Sequence, residues 1–171
     1  MEHLIVITGS MGAGKTTVLG EASDLLAARD VTHAAIDLDA LGLLHLSGVQ
    51  DHDLTLSNLA SVCNNYSAAG IRRLLIAAAV ESRAGLDRIV TATSAKRVVV
   101  CRLCATLPVM EARVTARERG LFAKQYIGRV SVLEKLIDTA AVEDFTITTT
   151  EAPVTEVARE MLVRSGWTRE E

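Results

Sequence analysis

The stretch Gly9-Ser10-Met11-Gly12-Ala13-Gly14-Lys15-Thr16-Thr17 has the spacing G-x-x-x-x-G-K-[ST], and it constrains the fold of this chain more than any other feature. Glycines at these points let backbone N–H groups curl around phosphate oxygens, and a helix that starts there adds the partial positive charge of its N-terminus. The lysine reaches the outer phosphates, and the threonine hydroxyl is a ligand for Mg2+. Such a loop must sit between a strand and a helix. Both flanks comply. His3-Leu4-Ile5-Val6-Ile7-Thr8 is a short apolar run rich in β-branched residues, and Val18, Leu19, Ala22, Leu25 and Leu26 recur at helical spacing within Thr16 to Arg29.

The composition suits a compact α/β core. The chain has 171 residues, the length of one domain, and its 49% hydrophobic content is mostly aliphatic and alanine. Aromatic residues make up 3%, which leaves little for stacking on nucleic-acid bases, and a net charge of −3 gives no field toward nucleic acid or an anionic membrane. The longest apolar run, Leu74 to Val80, falls far short of the ~20 residues that a bilayer requires. The first strand starts within three residues of the N-terminus, which leaves no room for a signal peptide. Three cysteines, an odd number, point to reduced thiols and a cytoplasmic protein. Cys101 and Cys104 are spaced C-x-x-C within a β-type run, where residues three apart face opposite sides of a sheet, so buried or half-buried thiols are expected rather than a redox or metal pair.

Strands and helices alternate along the whole chain. Strands are expected at His3–Thr8, His33–Asp37, Arg73–Val80, around Val98–Val100 and at Phe145–Thr148. Helices are expected from Thr16, from a cap at Thr55 or Ser57 to Gly70, from Val109 to Arg119 with Pro108 in the first turn, over Phe122–Ala140, and from Pro153 to Gly166, with a short element of unassigned type over Arg83–Thr93. Leu38 to Asp53 reads as loop with a short helix; Asp51 and Asp53 read as helix-entry caps, and His45 and His52 as loop residues. The predicted fold is α/β in three layers, a five-stranded parallel sheet with helices on both faces. Ligands of such sheets bind at the C-terminal edge of the strands, where Gly9–Thr17, Asp37, Glu81 and the segment after Leu103 converge.

Two further groups of residues stand at that edge. In Asp37-Leu38-Asp39, one carboxylate can hold Mg2+ or its water shell and the other can accept the proton of an acceptor hydroxyl; either can instead cap the following turn. Arg113 and Arg117 share a helix face, with Arg119 at the helix end before Gly120. Arginines so placed can stack on a base, clamp phosphates, or neutralise charge on a transferring phosphoryl group.

In this order, G-S-M-G-A-G-K-T-T, D-L-D and R-x-x-x-R-x-R resemble the small-molecule P-loop kinases of the gluconate, shikimate and adenylylsulfate kinase type, within the nucleoside-monophosphate-kinase fold. Arg119-Gly120-Leu121-Phe122 followed by Leu133-Glu134 is similar to the lid segment of gluconate kinases, and Asp144 to Thr149 to the last strand and base-side loop of that group. The resemblance implies a single domain over 1–171 with a small arginine-bearing lid at roughly 113–130, ATP with Mg2+, and phosphorylation of a small-molecule hydroxyl by a monomer or homodimer. Gly9 to Thr17 would hold the nucleotide, Lys15 would stabilise the transferring phosphate, and Thr16 and Asp37 would serve the metal, with Asp37 as base or metal-shell group. Asp39 would contact the acceptor, Arg113 would lie by the adenine, and Arg117 or Arg119 would close over the phosphates. Unlike the adenylylsulfate and shikimate kinases, the chain has no arginine-rich stretch after Asp39. Ala40 to Ser47 is nearly uncharged, which admits a neutral, bulky acceptor such as a natural-product alcohol. The competing reading is a P-loop ATPase or regulatory nucleotide-binding module without a small-molecule acceptor. A GTPase is disfavoured: Val80-Glu81-Ser82-Arg83 lacks the D-x-x-G expected after strand 3, and no N-K-x-D is present.

Overall fold

The first strand, β1 (His3–Thr8), decides the layering, because alternate side chains leave it in opposite directions. Ile5 and Ile7 enter one apolar cluster with Val18, Ala22 and Leu26 of α1 (Lys15–Ala27) and with Ala158 and Met161. Leu4 and Val6 enter another with Leu59, Cys63, Leu86 and Ile89. A strand that buries both faces needs helices on both sides, and the rest of the chain supplies them. The computed structural model describes residues 1–43, 52–120 and 123–169. After α1 come β2 (Ala34–Asp37), α2 (Leu38–Leu41), α3 (His52–Ala68), β3 (Arg73–Ala77), α4 (Arg83–Thr93), β4 (Arg97–Cys104), α5 (Leu107–Arg117), α6 (Ala123–Ala140), β5 (Phe145–Thr148) and α7 (Val154–Arg164).

The five strands lie in the order β2-β3-β1-β4-β5, and every pairing is parallel. The α/β sheet predicted from the alternation is therefore the one observed. Because β1 is central, with β3 on one side and β4 on the other, the loop leaving its C-terminal end emerges in the middle of the sheet edge.

Several boundaries differ from expectation, and four bear on the site or its neighbours. The apolar run from Arg73 ends its strand at Ala77 rather than Val80. Beyond it, the Val80 amide donates to Thr8 Oγ1 (3.0 Å), so a side chain replaces the next ladder bond. The third helix starts at His52, which puts Thr55 and Ser57 inside it rather than at its cap; its apolar face begins a turn later than its backbone does. The α5 helix stops at Arg117, where Glu118 turns extended (φ −89°, ψ 108°), so Arg119 lies beyond it. The helix expected to run to Gly166 ends at Arg164. Residues 44–51, with His45, Gly48 and Asp51, and the pair Leu121-Phe122 lie outside the described residues.

One strand residue breaks the apolar pattern. Arg102, on β4, is only 5% exposed. Its guanidinium pairs with Glu134 and with Asp138 (2.7 Å) on α6, and with Glu143 (3.4 Å) in the turn before β5. This adds charge pairing to the aliphatic contacts by which α6, through Val130, joins the sheet.

Candidate functional site

The loop between β1 and α1 is shaped by three glycines with positive φ: Gly9 at 144°, Gly12 at 80° and Gly14 at 99°. Two of them are also pressed against backbone. A Cβ on Gly9 would stand 2.5 Å from the Leu103 carbonyl oxygen, and one on Gly12 would collide with the Met110 carbonyl in α5. Gly14 has open space around it and serves as the left-handed N-cap of α1.

The carbonyls of this loop are held by donors. Lys15 Nζ donates to Gly9 O (3.0 Å) and Ser10 O (3.2 Å), Arg113 Nη1 to Gly12 O (3.1 Å), and Thr149 Oγ1 to Ala13 O (2.9 Å). Oxygen lone pairs that would repel an anion are thereby engaged, while α1 starts beside them with its N–H groups unpaired along the helix. Gly9, Ser10 and Ala13 are buried beneath the loop surface. The Ser10 hydroxyl points away from it and donates to Val130 O in α6 (2.9 Å).

Above the loop is a cavity of about 260 Å3, which brings Met11, Gly12, Gly14, Lys15, Thr16 and Thr17 together with Asp39, Arg113 and Arg117. Asp37 lies at its edge through Thr16. Its Oδ2 accepts from Thr16 Oγ1 at 2.6 Å, while its Oδ1 accepts from the amides of Asp39 (3.0 Å) and Ala40 (3.4 Å) and caps α2. Asp37 is thus both a cap and the partner of the loop threonine. Among the described residues, no group of three or more His, Cys, Asp or Glu is close enough to hold a metal ion by itself. The donors that fit one here are the Thr16 hydroxyl and the Asp37 carboxylate beside it.

Lys15 is 9% exposed. Burial lowers its pKa from the ordinary lysine value, the carboxylates of Asp39 and then Asp37 push it back up, and Arg117 adds to the lowering. An enclosed cation beside the loop favours an anion there, whereas the two carboxylates near it favour a cation.

The arginines divide by position. Arg113 is anchored: besides Gly12 O it donates to Thr149 Oγ1 (3.1 Å) and Thr149 O (2.6 Å). On its far side is a second cavity of about 200 Å3, lined by Thr149, Ala152, Val154 and Val157 together with Gly14, Thr17 and Val18. Arg117 lines the loop cavity with its side chain 60% exposed, paired with Glu118 at 2.8 Å. Arg119 is exposed beyond the helix end and lines neither cavity.

No protein-family model and no curated protein matches this chain. Solved structures do match over nearly the full length. The adenylylsulfate (APS) kinase of Mycobacterium tuberculosis, solved with AMPPNP and APS, is 17% identical at a TM-score of 0.65, with 98% of each chain covered. A gluconokinase from Sinorhizobium meliloti is 17% identical at 0.63, with 96% of this chain and 91% of that one covered. This chain has the small-molecule P-loop kinase fold. The tunicamycin resistance protein of Deinococcus radiodurans shares it at 16% identity and a TM-score of 0.67, with both chains covered in full.

Within the kinase-like fold, one residue of the site lies in the motif likened to the base-side loop but was given no role of its own. Thr149 is 6% exposed and touches the loop, Arg113 and the end of β4 through Cys104 O (3.4 Å). The only hint in the sequence is its place just after the last strand, on the ligand-binding edge. Glu81 is exposed and lines neither cavity. Cys101 and Cys104 are free thiols on β4, and burial pushes Cys101 up to about 12. No helix among the described residues is long and apolar enough to cross a membrane.

Proposed function

We propose that this chain is an ATP-dependent kinase that transfers a phosphoryl group to the hydroxyl of a small molecule. The observation that carries the reading is the convergence of Lys15, Asp39 and Arg117 on one cavity over the phosphate loop, with the Thr16–Asp37 pair at its edge. Bound ATP with Mg2+ supplies the transferable phosphoryl group and the charge neutralisation that an in-line transfer requires.

The protein's part is positioning and electrostatics. The loop N–H groups and the α1 N-terminus hold the phosphates, and Lys15 faces the transferring group. Thr16 and Asp37 hold the metal. Both Asp37 oxygens are already engaged, so Asp39, which lines the cavity, is the better carboxylate to orient the acceptor hydroxyl and take its proton. Arg113 separates phosphates from base, with the base in the pocket by Thr149 and Val154. Arg117 and Arg119 close over the phosphates from a lid at roughly 113–130 of a single cytoplasmic domain, which works as a monomer or homodimer without nucleic acid or membrane.

The test is ADP release measured over a panel of alcohols. A kinase releases ADP faster with one acceptor and loses that turnover in Lys15→Ala. Hydrolysis at one rate regardless of acceptor would replace this reading with an ATPase or regulatory module.

A further inference from the structure

We infer that Ser10 is a positioning residue for Lys15: its hydroxyl fastens the phosphate loop to α6 and thereby fixes a carbonyl that aims the lysine. The inference rests on the kinase reading for the step that Lys15 serves, though not for the geometry. Ser10 is fully buried, at 0% exposure. Its Oγ donates to Val130 O at 2.9 Å, across 120 positions of the chain. Its carbonyl accepts from the Ala13 amide (3.2 Å), which closes the turn of the loop, and from Lys15 Nζ (3.2 Å). One residue therefore joins the helix, the turn and the lysine.

The bond serves the loop rather than the helix. Val130 lies well inside α6 (Ala123–Ala140), where a carbonyl accepts from the amide four residues on and has a second lone pair to spare. The helix needs no further donor there. A hydroxyl buried without a partner, by contrast, costs free energy, and alanine would fill the same space without that demand. The anchor is firm. Val130 is itself at 0% exposure and shares an apolar cluster with Ile5, Ile7, Ala13 and Met110. One turn further along α6, Glu134 pairs with Arg102 of β4.

The consequence for Lys15 follows from its ammonium group, which has three N–H donors. Gly9 O (3.0 Å) and Ser10 O take two of them. The positions of these two oxygens therefore set the direction of the third donor, the one left for a phosphate oxygen. Gly9 is held from the side of β4, where a Cβ would stand 2.5 Å from Leu103 O. Ser10 is held from the side of α6, by its hydroxyl. A donor aimed at oxygens whose charge changes during transfer acts on the rate more than on the affinity. Without the hydroxyl, nucleotide still binds through the loop N–H groups, while the lysine meets the transferring group at a poorer angle.

The experiment compares the full chain with Ser10→Ala and with Val130→Ala, which removes packing at the same contact and keeps the carbonyl. Calorimetric titration of Ser10→Ala with Mg·AMPPNP is expected to give a Kd within about threefold of the parent, while acceptor-stimulated turnover falls on the order of tenfold. The phosphorus NMR signal of the bound γ-phosphate is expected to move toward its free position in Ser10→Ala. Val130→Ala is expected to keep both signal and turnover. A γ-phosphate signal unmoved in Ser10→Ala, an affinity loss as large as the rate loss, or the same changes in Val130→Ala would overturn the inference. The phosphorus readout needs no acceptor. Acceptor-independent hydrolysis with a displaced signal would therefore sink the kinase reading and leave the role of Ser10 in place. Acceptor-stimulated turnover that Ser10→Ala leaves unchanged would do the reverse.

Discussion

Thr16 Oγ1 and Asp37 Oδ2 stand 2.6 Å apart, joining the first turn of α1 to the end of β2. The other Asp37 oxygen caps α2, so one carboxylate carries two separable duties. Asn caps a helix about as well as Asp. Asp37→Asn is therefore expected to leave the melting temperature within about 1 °C while lowering Mg2+-dependent turnover on the order of 100-fold. Asp37→Ala should lose the same turnover and about 1 kcal/mol of stability as well. Thermal melts alongside initial rates separate the two; an Asp37→Asn variant with undiminished turnover would leave capping as the residue's only role.

Lys15 gives a pH signature. Its pKa is lowered in the folded chain, chiefly by burial, so its charge opposes folding. That cost is fully present below the lowered value and disappears as the pH passes the ordinary lysine value, because the unfolded chain binds more protons in between. Lys15→Met should raise the melting temperature of the nucleotide-free protein at pH 7. The gain should shrink toward pH 10. A gain that is constant with pH would mean that packing, not charge, explains it.

The loop glycines should not be equivalent. Gly14→Ala places a Cβ in open space at φ 99°, a backbone cost of about 1–2 kcal/mol. At Gly12 the same strain is joined by a collision with the Met110 carbonyl, so Gly12→Ala should melt several degrees below Gly14→Ala and displace α5. Near-equal melting temperatures would contradict the close approach of loop and helix.

Arg102 predicts a large penalty. Removing it leaves Glu134 and Glu143 charged and mostly enclosed, at 18% and 16% side-chain exposure. Arg102→Met should cost about 3–5 kcal/mol, roughly 10 °C. Adding Glu134→Met should recover part of that. A double variant no better than the single one would show that the guanidinium acts by packing rather than by pairing.

These residues also mark what could be read from sequence. The strand-loop-helix at Gly9–Thr17 was legible because glycine placement, β-branched runs and helical spacing are local patterns, and each is imposed by backbone geometry. The positions of Asp37, Asp39, Arg113 and Arg117 at one edge followed from topology, since parallel strands deliver their C-terminal ends to the same side. The early ends of β3 and α5 were hidden because a side-chain acceptor, Thr8 Oγ1, and an extended Glu118 override the apolar pattern. Arg102 left no local trace, and Thr149 only its place just past the end of the last strand. Each is defined by partners that lie far along the chain, and periodicity does not encode them.

The bond from Thr149 Oγ1 to Ala13 O, spanning 136 positions, has a bearing on the order of synthesis. The phosphate loop leaves the ribosome well before Thr149, yet one of its carbonyls and the arginine beside it wait for that residue, made 136 positions later. Until β5 takes its place at the sheet edge, the nascent protein has the motif without the binding site. Nucleotide that prefers the finished loop would then favour the docked form of that later segment by mass action.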